Sequence, residues 1–318
     1  MSTPLTSITV GSRESPLALA QTHSVIARLQ HHWPKLECKL VTFKTVGDQF
    51  LNQSFAELSQ TATGEKQPLD KGLFVKELEV ALLNGSIDLA VHSGKDCPTQ
   101  QPDGLMVFPI GPRETPWDAW VSKQYPTLAD CPPGTKIGTA SVRRTAQVLA
   151  QYPHLHVVMV RGNVQTRLSK LDDGIVDGLI LACAGLERLY LQHRITQVLS
   201  PAEGFVPAPR QGILGVEIRS EDSALKALLA PLQEEAVTEA WVAEEAVLKA
   251  IGGGCHTPVG AITIPNSEEN KLTLTGHYLS ADGTQYSQHR VSGSFSEAAQ
   301  LGTNLGNQLK QNLALMSD

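Results

Sequence analysis

The sequence has no long hydrophobic run and few cysteines, and each shortage excludes a class of protein. No apolar stretch approaches the roughly 18 residues that span a bilayer, and the N-terminus lacks the basic and apolar segments of a targeting signal. The 5 cysteines among the 318 residues are widely scattered. They show no CxxC spacing, and no HExxH occurs, so neither a disulfide framework nor a zinc site is indicated. We therefore expect a cytoplasmic protein with reduced thiols, no bound metal and no membrane contact.

Features of nucleic-acid and nucleotide binding are also missing. The formal net charge of -6 argues against general nucleic-acid binding. No GxxxxGK[ST] loop is present, which excludes the usual nucleoside triphosphate site. With 41% hydrophobic and 18% charged residues, the chain has the composition of a globular protein. Its length predicts two or three domains.

Acidic residues are absent from one long window, residues 136–170, of this net acidic chain. The window holds the cations Lys136, Arg143, Arg144, Arg161, Arg167 and Lys170. Ser141 and Asn163 read as helix N-caps with arginines beside them, and Ser15 with Arg13 repeats the pattern. Because helix starts bind anions, three such junctions predict a ligand with several carboxylates or phosphates, which arginine binds through paired N–H groups. A solvated basic surface is the alternative.

One strand is followed by a short polar turn that concentrates reactive side chains. Ile87–Val91 reads as a buried strand, and the next residues are His92, Ser93, Gly94, Lys95 and Asp96. In open α/β sheets ligands collect beyond the carboxyl ends of strands, which makes this turn a candidate site. The alternative is an ordinary strand exit whose Lys95 and Asp96 pair in solvent.

Strand and helix patterns alternate along most of the chain. Residues 111–116 and 207–212 read as hinges, and the long polar segment 47–71 reads as a functional or disordered loop. The pattern predicts an α/β fold with two α/β domains around a cleft and a smaller C-terminal α+β domain. The predicted domains are 1–111 with 213–230, 117–206, and 235–318.

Several ordered motifs together resemble the hydroxymethylbilane synthase family, also called porphobilinogen deaminase, over essentially the full chain. The motifs are Gly11–Ala18 (GSRESPLA), Lys71–Glu77 (KGLFVKE), Val91–Ser93 (VHS) with Lys95-Asp96, Arg143-Arg144, Arg161–Val164 (RGNV) with Thr166–Leu168 (TRL), and Gly253-Gly254-Cys255. The resemblance implies that the first two domains are similar to type II periplasmic binding proteins. It also implies a monomeric enzyme of porphyrin and haem biosynthesis, with a dipyrromethane cofactor joined to Cys255 by a thioether. Four porphobilinogen molecules are condensed head to tail with release of ammonia, and water then frees the linear tetrapyrrole.

The resemblance also implies a role for individual residues. Asp96 is the catalytic carboxylate, facing the pyrrole N–H groups of the growing oligopyrrole. The carboxylates of cofactor and substrate are held by Arg13, Ser15, Lys95, Thr139, Ser141, Arg143, Arg144, Arg161, Asn163 and Arg167. Secondary site residues are Gln21, Lys71, Phe74, His92, Ser93, Arg188 and Gln211.

The chain departs from the family pattern at a few positions near these motifs. Gly94 replaces a bulky residue, Arg210 a glycine, and Gly252 a residue that is commonly acidic; Ala140 and Cys97 differ as well. Two other functions therefore stay open from the sequence. One is a non-catalytic, two-lobed binding protein for an anionic small molecule, and the other is a poorly active relic of the family. A ligand-sensing regulator is less favoured, because we find no DNA-binding helix pair.

Overall fold

The structure is a computed structural model that describes residues 5–44, 75–254 and 257–316. The chain forms two compact units. One comprises the residues up to His92 together with Asp96–Phe108 and Gly215–Leu232, and the other comprises Ser93–Lys95, Pro109–Leu214 and the chain from Gln233 onward. Within the described ranges, no helix combines the length and apolar character needed to cross a membrane.

The first unit is built on a five-stranded sheet in the order β2-β1-β3-β10-β4. Its elements are β1 (Ser7–Arg13), α1 (Pro16–His32), β2 (Glu37–Phe43), α2 (Lys76–Leu83), β3 (Leu89–Ser93), β4 (Leu105–Ile110), β10 (Leu214–Arg219) and α6 (Ser223–Leu229). Strand β1 runs parallel to β2 and β3. The apolar face of α2 places Leu78 and Leu82 in a core with Ile87, which is the burial that its helical spacing predicts.

The second unit contains another five-stranded sheet, in the order β7-β6-β8-β5-β9. Its elements are β5 (Asp118–Ser122), β6 (Lys136–Thr139), α3 (Val142–Gln151), β7 (His156–Met159), α4 (Val164–Asp172), β8 (Gly178–Ala182), α5 (Cys183–Glu187) and β9 (Gln197–Leu199). Strand β6 is parallel to β7 and β8, whereas β5 is antiparallel to β8 and β9. The buried apolar side chains of this unit form two separate clusters, one containing Leu179 and the other Trp120.

The C-terminal part of the second unit is a three-stranded antiparallel sheet with two helices packed on it. Its elements are α7 (Glu235–Ile251), β11 (Val259–Asn266), β12 (Lys271–Leu279), β13 (Tyr286–Ser294) and α8 (Ala298–Leu315). Val247 of α7, Leu274 of β12 and Leu305 of α8 share one core. This part therefore has its own hydrophobic centre.

The predicted α/β fold class is confirmed: two five-stranded α/β sheets accompany a smaller α+β part with a three-stranded sheet. The strand predicted at residues 87–91 was placed too early and is β3. The Asp88 carboxylate accepts the Thr9 N–H at 2.7 Å, while the Asp88 N–H donates to the Thr9 carbonyl at 2.8 Å, so a side chain makes one of the two bonds at this level. Strands β5 and β9 were not predicted, and the predicted loop at 47–71 lies entirely outside the described residues.

Candidate active site

The carboxyl ends of three parallel strands form one edge of the sheet in the second unit. Thr139 of β6 pairs with Met159 of β7. Ser141 and Arg161 each come two residues after one member of this pair, so both lie just beyond the same edge of the sheet. Strand β5 runs the opposite way and begins at this edge, because Asp118 pairs with Ala182 at the end of β8. The edge therefore collects a carboxylate and the predicted anion-binding side chains in the location where α/β sheets bind ligands.

The two helices that start at this edge have the caps that the sequence predicts. The Ser141 Oγ accepts the Arg144 N–H at 3.4 Å at the start of α3, and the Asn163 Oδ1 accepts the Thr166 N–H at 2.8 Å at the start of α4. Each helix therefore begins at a fixed residue, with the partial positive charge of its first turn at the edge. The third predicted cap, Ser15 on α1 in the first unit, accepts the Ala18 N–H at 3.3 Å.

Arg143 and Arg144 share a single buried carboxylate. The Asp118 side chain is 0% exposed, and the two arginines are 4% and 5% exposed. Asp118 Oδ2 lies 2.8 Å from Arg143 Nη1, and Asp118 Oδ1 lies 2.7 Å from Arg144 Nη2. Backbone carbonyls of Val206 and Ile180 accept one further bond from each arginine, at 2.8 and 2.9 Å. Asp118 is thus the counter-ion that the acid-free window lacks.

The charges at this pair do not balance. Burial would raise the pKa of Asp118, but Arg143 and Arg144 hold that pKa far below its usual range, so the carboxylate stays ionised. Burial lowers the pKa of Arg143, and Arg144 lowers it further. Two guanidinium groups and one carboxylate leave an uncompensated positive charge. The buried Nε atoms of both arginines also have no hydrogen-bond partner among the described residues, which suits an anionic ligand.

A neutral histidine borders the arginine pair. His277 of β12 lies 3.5 Å from the Gln147 side chain, which accepts a bond from Arg143 Nη1 at 3.1 Å. Burial, together with the charge of Arg143, lowers the pKa of His277 to about 4. The imidazole therefore adds no positive charge near pH 7 and supports Arg143 through Gln147.

Gln211 connects this cluster to the polar turn that the sequence singled out. Its Nε2 donates to Asp118 Oδ1 at 2.9 Å and to the Pro116 carbonyl at 2.7 Å, while its Oε1 accepts from Lys95 Nζ at 3.3 Å. The amide has both a donor and an acceptor, so it can bridge a carboxylate and an ammonium group. Lys95 is therefore linked to Arg143 and Arg144 through two side chains.

Three other predicted cations of the second unit, Arg161, Arg167 and Arg188, are half-buried, and main-chain oxygens anchor Arg167 and Arg188. Arg167 Nε donates to the Gly162 carbonyl at 2.7 Å, and Arg188 Nη2 donates to the Gly212 carbonyl at 2.9 Å. Arg161 is also half-buried, directly after the end of β7. A carbonyl anchor fixes the position of a guanidinium without neutralising its charge.

In the first unit, Arg13 and Ser15 lie at the carboxyl end of β1. Gly11 of β1 pairs with Ala90 of β3. Arg13 and His92 each come two residues after one member of this pair, so both lie at the same edge of the sheet. Gln21 is buried on α1.

His92 forms a buried pair behind this edge. Its Nε2 lies 3.1 Å from Glu217 Oε2 of β10, and the side chains are 4% and 2% exposed. Burial and the charge of Glu217 raise the pKa of Glu79 on α2 to about 7. His92 is therefore enclosed by acidic groups, which indicates a supporting role.

Asp96 is exposed at the end of a single 3₁₀ turn, Gly94–Asp96, that follows β3. The turn is fixed at its start, because the Gly94 N–H donates to the Ile213 carbonyl at 2.8 Å. Ser93 before it is half-buried at the strand end. The Asp96 carboxylate therefore stands on an anchored turn and is accessible to a ligand.

Three predicted residues, Lys71, Phe74 and Cys255, lie outside the described residues. The helix leading to Cys255 ends at Gly252, whose φ of +75° is left-handed. This backbone conformation favours glycine. Beyond it, the Gly254 N–H donates to Thr257 Oγ1 at 3.0 Å.

The sequence alone did not indicate Asp118, Glu217 or His277 as residues of the site. Each lies alone in an apolar or mixed strand, far along the chain from the residue that it supports. A lone carboxylate opening the apolar strand Asp118–Ser122 is the one signal that was present, since a buried acid requires a cationic partner.

The chain is similar to porphobilinogen deaminases over almost its whole length. Residues 8–227 match the family model "Porphobilinogen deaminase, dipyromethane cofactor binding domain", and residues 238–311 match "Porphobilinogen deaminase, C-terminal domain". A porphobilinogen deaminase from Thiobacillus denitrificans is 43% identical over 302 residues, which are 95% of this chain and 94% of that protein. Another, from Synechococcus elongatus, is 44% identical over 316 residues, 98% of this chain and 94% of that protein.

Solved structures of binding proteins are similar at a greater distance. The methionine-binding protein MetQ covers 74% of this chain, with 93% of its own chain, at 14% identity and a TM-score of 0.44. A similarity of this size carries no information about the residues of the site.

Proposed function

Because the chain belongs to the porphobilinogen deaminase family, we propose how its own residues carry out that family's reaction. The enzyme condenses four porphobilinogen molecules head to tail on a covalent dipyrromethane primer. In each coupling a ring carbon attacks the aminomethyl carbon of the next pyrrole, the C–N bond breaks, ammonia leaves, and the ring carbon loses its proton. Water finally releases the linear tetrapyrrole, hydroxymethylbilane.

The buried arginine pair with a single shared carboxylate is the observation that supports this assignment best. Each pyrrole of the substrate carries an acetate and a propionate, so the growing product is a polycarboxylate. A site with surplus buried positive charge, whose arginine Nε atoms have no partner in the part of the chain that the structure describes, is suited to such a ligand. The carboxylate-binding residues of our proposal are Arg13, Ser15, Lys95, Thr139, Ser141, Arg143, Arg144, Arg161, Asn163 and Arg167.

The residues at this edge also fit the dipyrromethane group, whose two rings carry the same acid side chains. We propose Cys255 as its attachment point and Arg143, Arg144 and Ser141 as residues that hold its carboxylates. When bound, the group supplies the ring carbon to which the first substrate couples. Gly252 ends α7 three residues before Cys255, which leaves a short glycine segment to carry a bulky substituent.

Asp96 is the proposed catalytic residue. Loss of ammonia leaves a cation on the incoming pyrrole unit, and its coupling to the chain gives a second pyrrolic cation before the ring proton is lost. A carboxylate fixed on the anchored turn stabilises positive charge that exists only during the reaction. The same carboxylate can accept and return a proton. Lys71, Phe74, Gln21, His92, Ser93, Arg188 and Gln211 complete the proposed site in secondary roles.

We infer further that the protein is a cytoplasmic monomer and that the second unit comprises two domains, 117–206 and 235–318. The separate apolar cores of these segments support the division. Sedimentation of the purified protein tests the oligomeric state.

The decisive experiment is the intact mass of the purified protein. If Cys255 carries the cofactor, the wild type exceeds the mass of its sequence by about two pyrrole units, and Cys255→Ser has the mass of the bare chain. The matched controls are Ser variants of Cys38, Cys97, Cys131 and Cys183, each of which keeps the added mass. An unmodified wild type that still makes hydroxymethylbilane would overturn the attachment.

The same sample separates the alternatives. A binding protein has the bare mass and does not consume porphobilinogen, whereas a relic carries the cofactor but stops after one or two additions. Both would contradict the proposed turnover.

A further inference from the structure

A buried arginine with a left-handed backbone lies directly before Gln211. Arg210 has a φ of +63° and is 1% exposed. Non-glycine residues avoid this conformation, and burial of a guanidinium is costly without partners. The family pattern has glycine here, so the side chain is retained against both costs. A backbone outlier of this kind suggests that the side chain has a specific function.

The side chain of Arg210 is enclosed by helix α7. Its guanidinium carbon lies 4.7 Å from the centre of the Trp241 ring, in the range of a cation–π contact. Its Nη1 lies 3.3 Å from Glu245 Oε1. The Arg210 main-chain N–H donates to the buried Glu244 carboxylate, which also binds Arg113. Arg210 is therefore attached to the helix through both side chain and backbone.

Trp241 in turn packs against the turn that carries Lys95. A Cβ added at Gly94 would lie 2.7 Å from Trp241 Cζ3, and 3.0 Å from each of the Arg210 and Ile213 carbonyl oxygens. The absence of a side chain at Gly94, another departure from the family pattern, is thus explained by the indole ring that occupies the space. The two departures, Gly94 and Arg210, meet at one tryptophan.

The peptide segment after Arg210 contacts the same turn. Ile213 accepts the Gly94 N–H at 2.8 Å, and Gln211 accepts a bond from Lys95 Nζ at 3.3 Å. A shift of residues 210–213 would therefore move both the backbone before Lys95 and the acceptor of its ammonium group.

We infer that Arg210 and Trp241 are positioning residues, which together hold the Gly94 turn and Gln211 so that Lys95 and the adjacent Asp96 are correctly placed. Neither residue is proposed to touch substrate. The inference rests on the proposed role of Asp96 for its kinetic consequence, but its structural part does not depend on that role.

The test compares Arg210→Gly with Arg210→Lys. Glycine relieves the left-handed backbone and removes the side chain, so the variant folds but loses the contact with Trp241. Lysine keeps the charge and part of the cation–π contact, and it should restore part of the loss. The matched control is Lys249→Ala, which removes the exposed partner of Glu245, 2.7 Å away on the same helix, without touching Arg210.

Hydrogen–deuterium exchange of the peptide covering residues 93–97 is the first measurement, because the Gly94 N–H is bonded to Ile213. Exchange should accelerate in Arg210→Gly and Trp241→Ala and stay at the wild-type rate in Lys249→Ala. Steady-state kinetics are the second measurement. Arg210→Gly should lower kcat about 10- to 100-fold, the scale of a small misplacement of a reacting group, with KM changed much less.

The outcomes separate this inference from the proposed function. Unchanged exchange and unchanged kcat in Arg210→Gly, or equal effects in Lys249→Ala, would overturn the positioning role. Faster exchange in a protein whose wild type does not consume porphobilinogen would uphold the positioning of the turn and refute the proposed function instead. Lower thermal stability with wild-type exchange and kcat would mark Arg210 as merely structural and also refute the inference.

Discussion

Asp118 shows how one buried side chain sets the charge of a whole site. It holds two arginines of α3 and the amide of Gln211, and all of these groups are buried. Without it, two guanidinium groups would remain in a dry environment with carbonyl and amide partners only. Its role is therefore structural and electrostatic together.

We expect Asp118→Asn to lower the free energy of unfolding by about 3–5 kcal/mol, as for other buried ion pairs that lose one partner. It should also weaken retention of the cofactor, because the arginines are no longer held at the edge. Thermal unfolding and intact mass measure the two effects.

The control is Asp172→Asn, since Asp172 also contacts two cations, Lys123 and Arg194, but on the surface. Its loss should cost less than about 1 kcal/mol. Similar losses for the two variants would show that burial does not govern the Asp118 interaction.

Asp96 differs from Asp118 because its carboxylate is exposed. Its replacement therefore removes no buried ion pair among the described residues. Asp96→Asn should fold normally and keep the cofactor mass, yet lose on the order of 10²–10³ in rate. Asp96→Glu keeps the charge at a longer reach and should retain partial activity with trapped intermediates. Single-turnover kinetics decide: a rate of Asp96→Asn within about tenfold of wild type contradicts the catalytic role.

At the scale of single residues, the sequence predicted the cations better than their partners. The acid-free window pointed to an anion site, and its arginines do converge on one sheet edge. The partner Asp118 lies outside the window, since strand β5 is placed next to β8 by tertiary pairing and not by sequence distance. Local patterns cannot show which distant strand becomes a neighbour.

Among the elements, the helices followed their sequence signals closely. Ser15, Ser141 and Asn163 cap the helices that they were predicted to cap, because capping depends only on neighbouring residues. Strand β9 has three residues, too few for a periodic pattern. Strand β5 begins with a buried aspartate. A charged residue is unusual in a buried strand, so the sequence of β5 resembled a continuation of the polar hinge before it.

The end of α7 gives a prediction at this scale. Gly252→Ala forces a side chain into a left-handed conformation and should cost about 1–2 kcal/mol, measured by denaturant unfolding. Gly254→Ala is the control, because a Cβ there meets nothing within 4 Å and its cost should stay within about 0.5 kcal/mol. Equal costs would mean that the helix cap does not limit stability.

For the molecule as a whole, Glu79 predicts how stability depends on pH. Its pKa in the folded protein is about 7, raised by burial and by Glu217, against an ordinary value of 4.5; the titratable neighbours are Glu217, His92, Lys76 and Glu77. The folded state therefore holds a proton that the unfolded state releases, so stability falls as pH rises from about 4.5 to about 7. Asp118 affects stability in the opposite sense, because its pKa is lowered in the folded protein. Its contribution to stability is lost only when the pH falls below the ordinary pKa of an aspartate.

Glu79→Gln should remove this fall. Because the side chain is half exposed, the gain at pH 8 is on the order of 1 kcal/mol after allowance for solvent screening, and it should vanish near pH 4.5. Denaturant unfolding of both proteins across this range measures the difference. Parallel profiles for wild type and variant would contradict the raised pKa.

The strand order of the first sheet has a consequence for the growing polypeptide. Strand β10 lies between β3 and β4, although more than a hundred residues of chain separate it from either. On the ribosome, β3 and β4 are therefore made with open edges that stay unpaired until residues 214–219 emerge. The second sheet, whose strands lie within residues 118–199, is complete before that point. The part of the protein that is translated first thus finishes folding after the part that follows it, and its exposed strand edges are the segments that need protection from aggregation in the meantime.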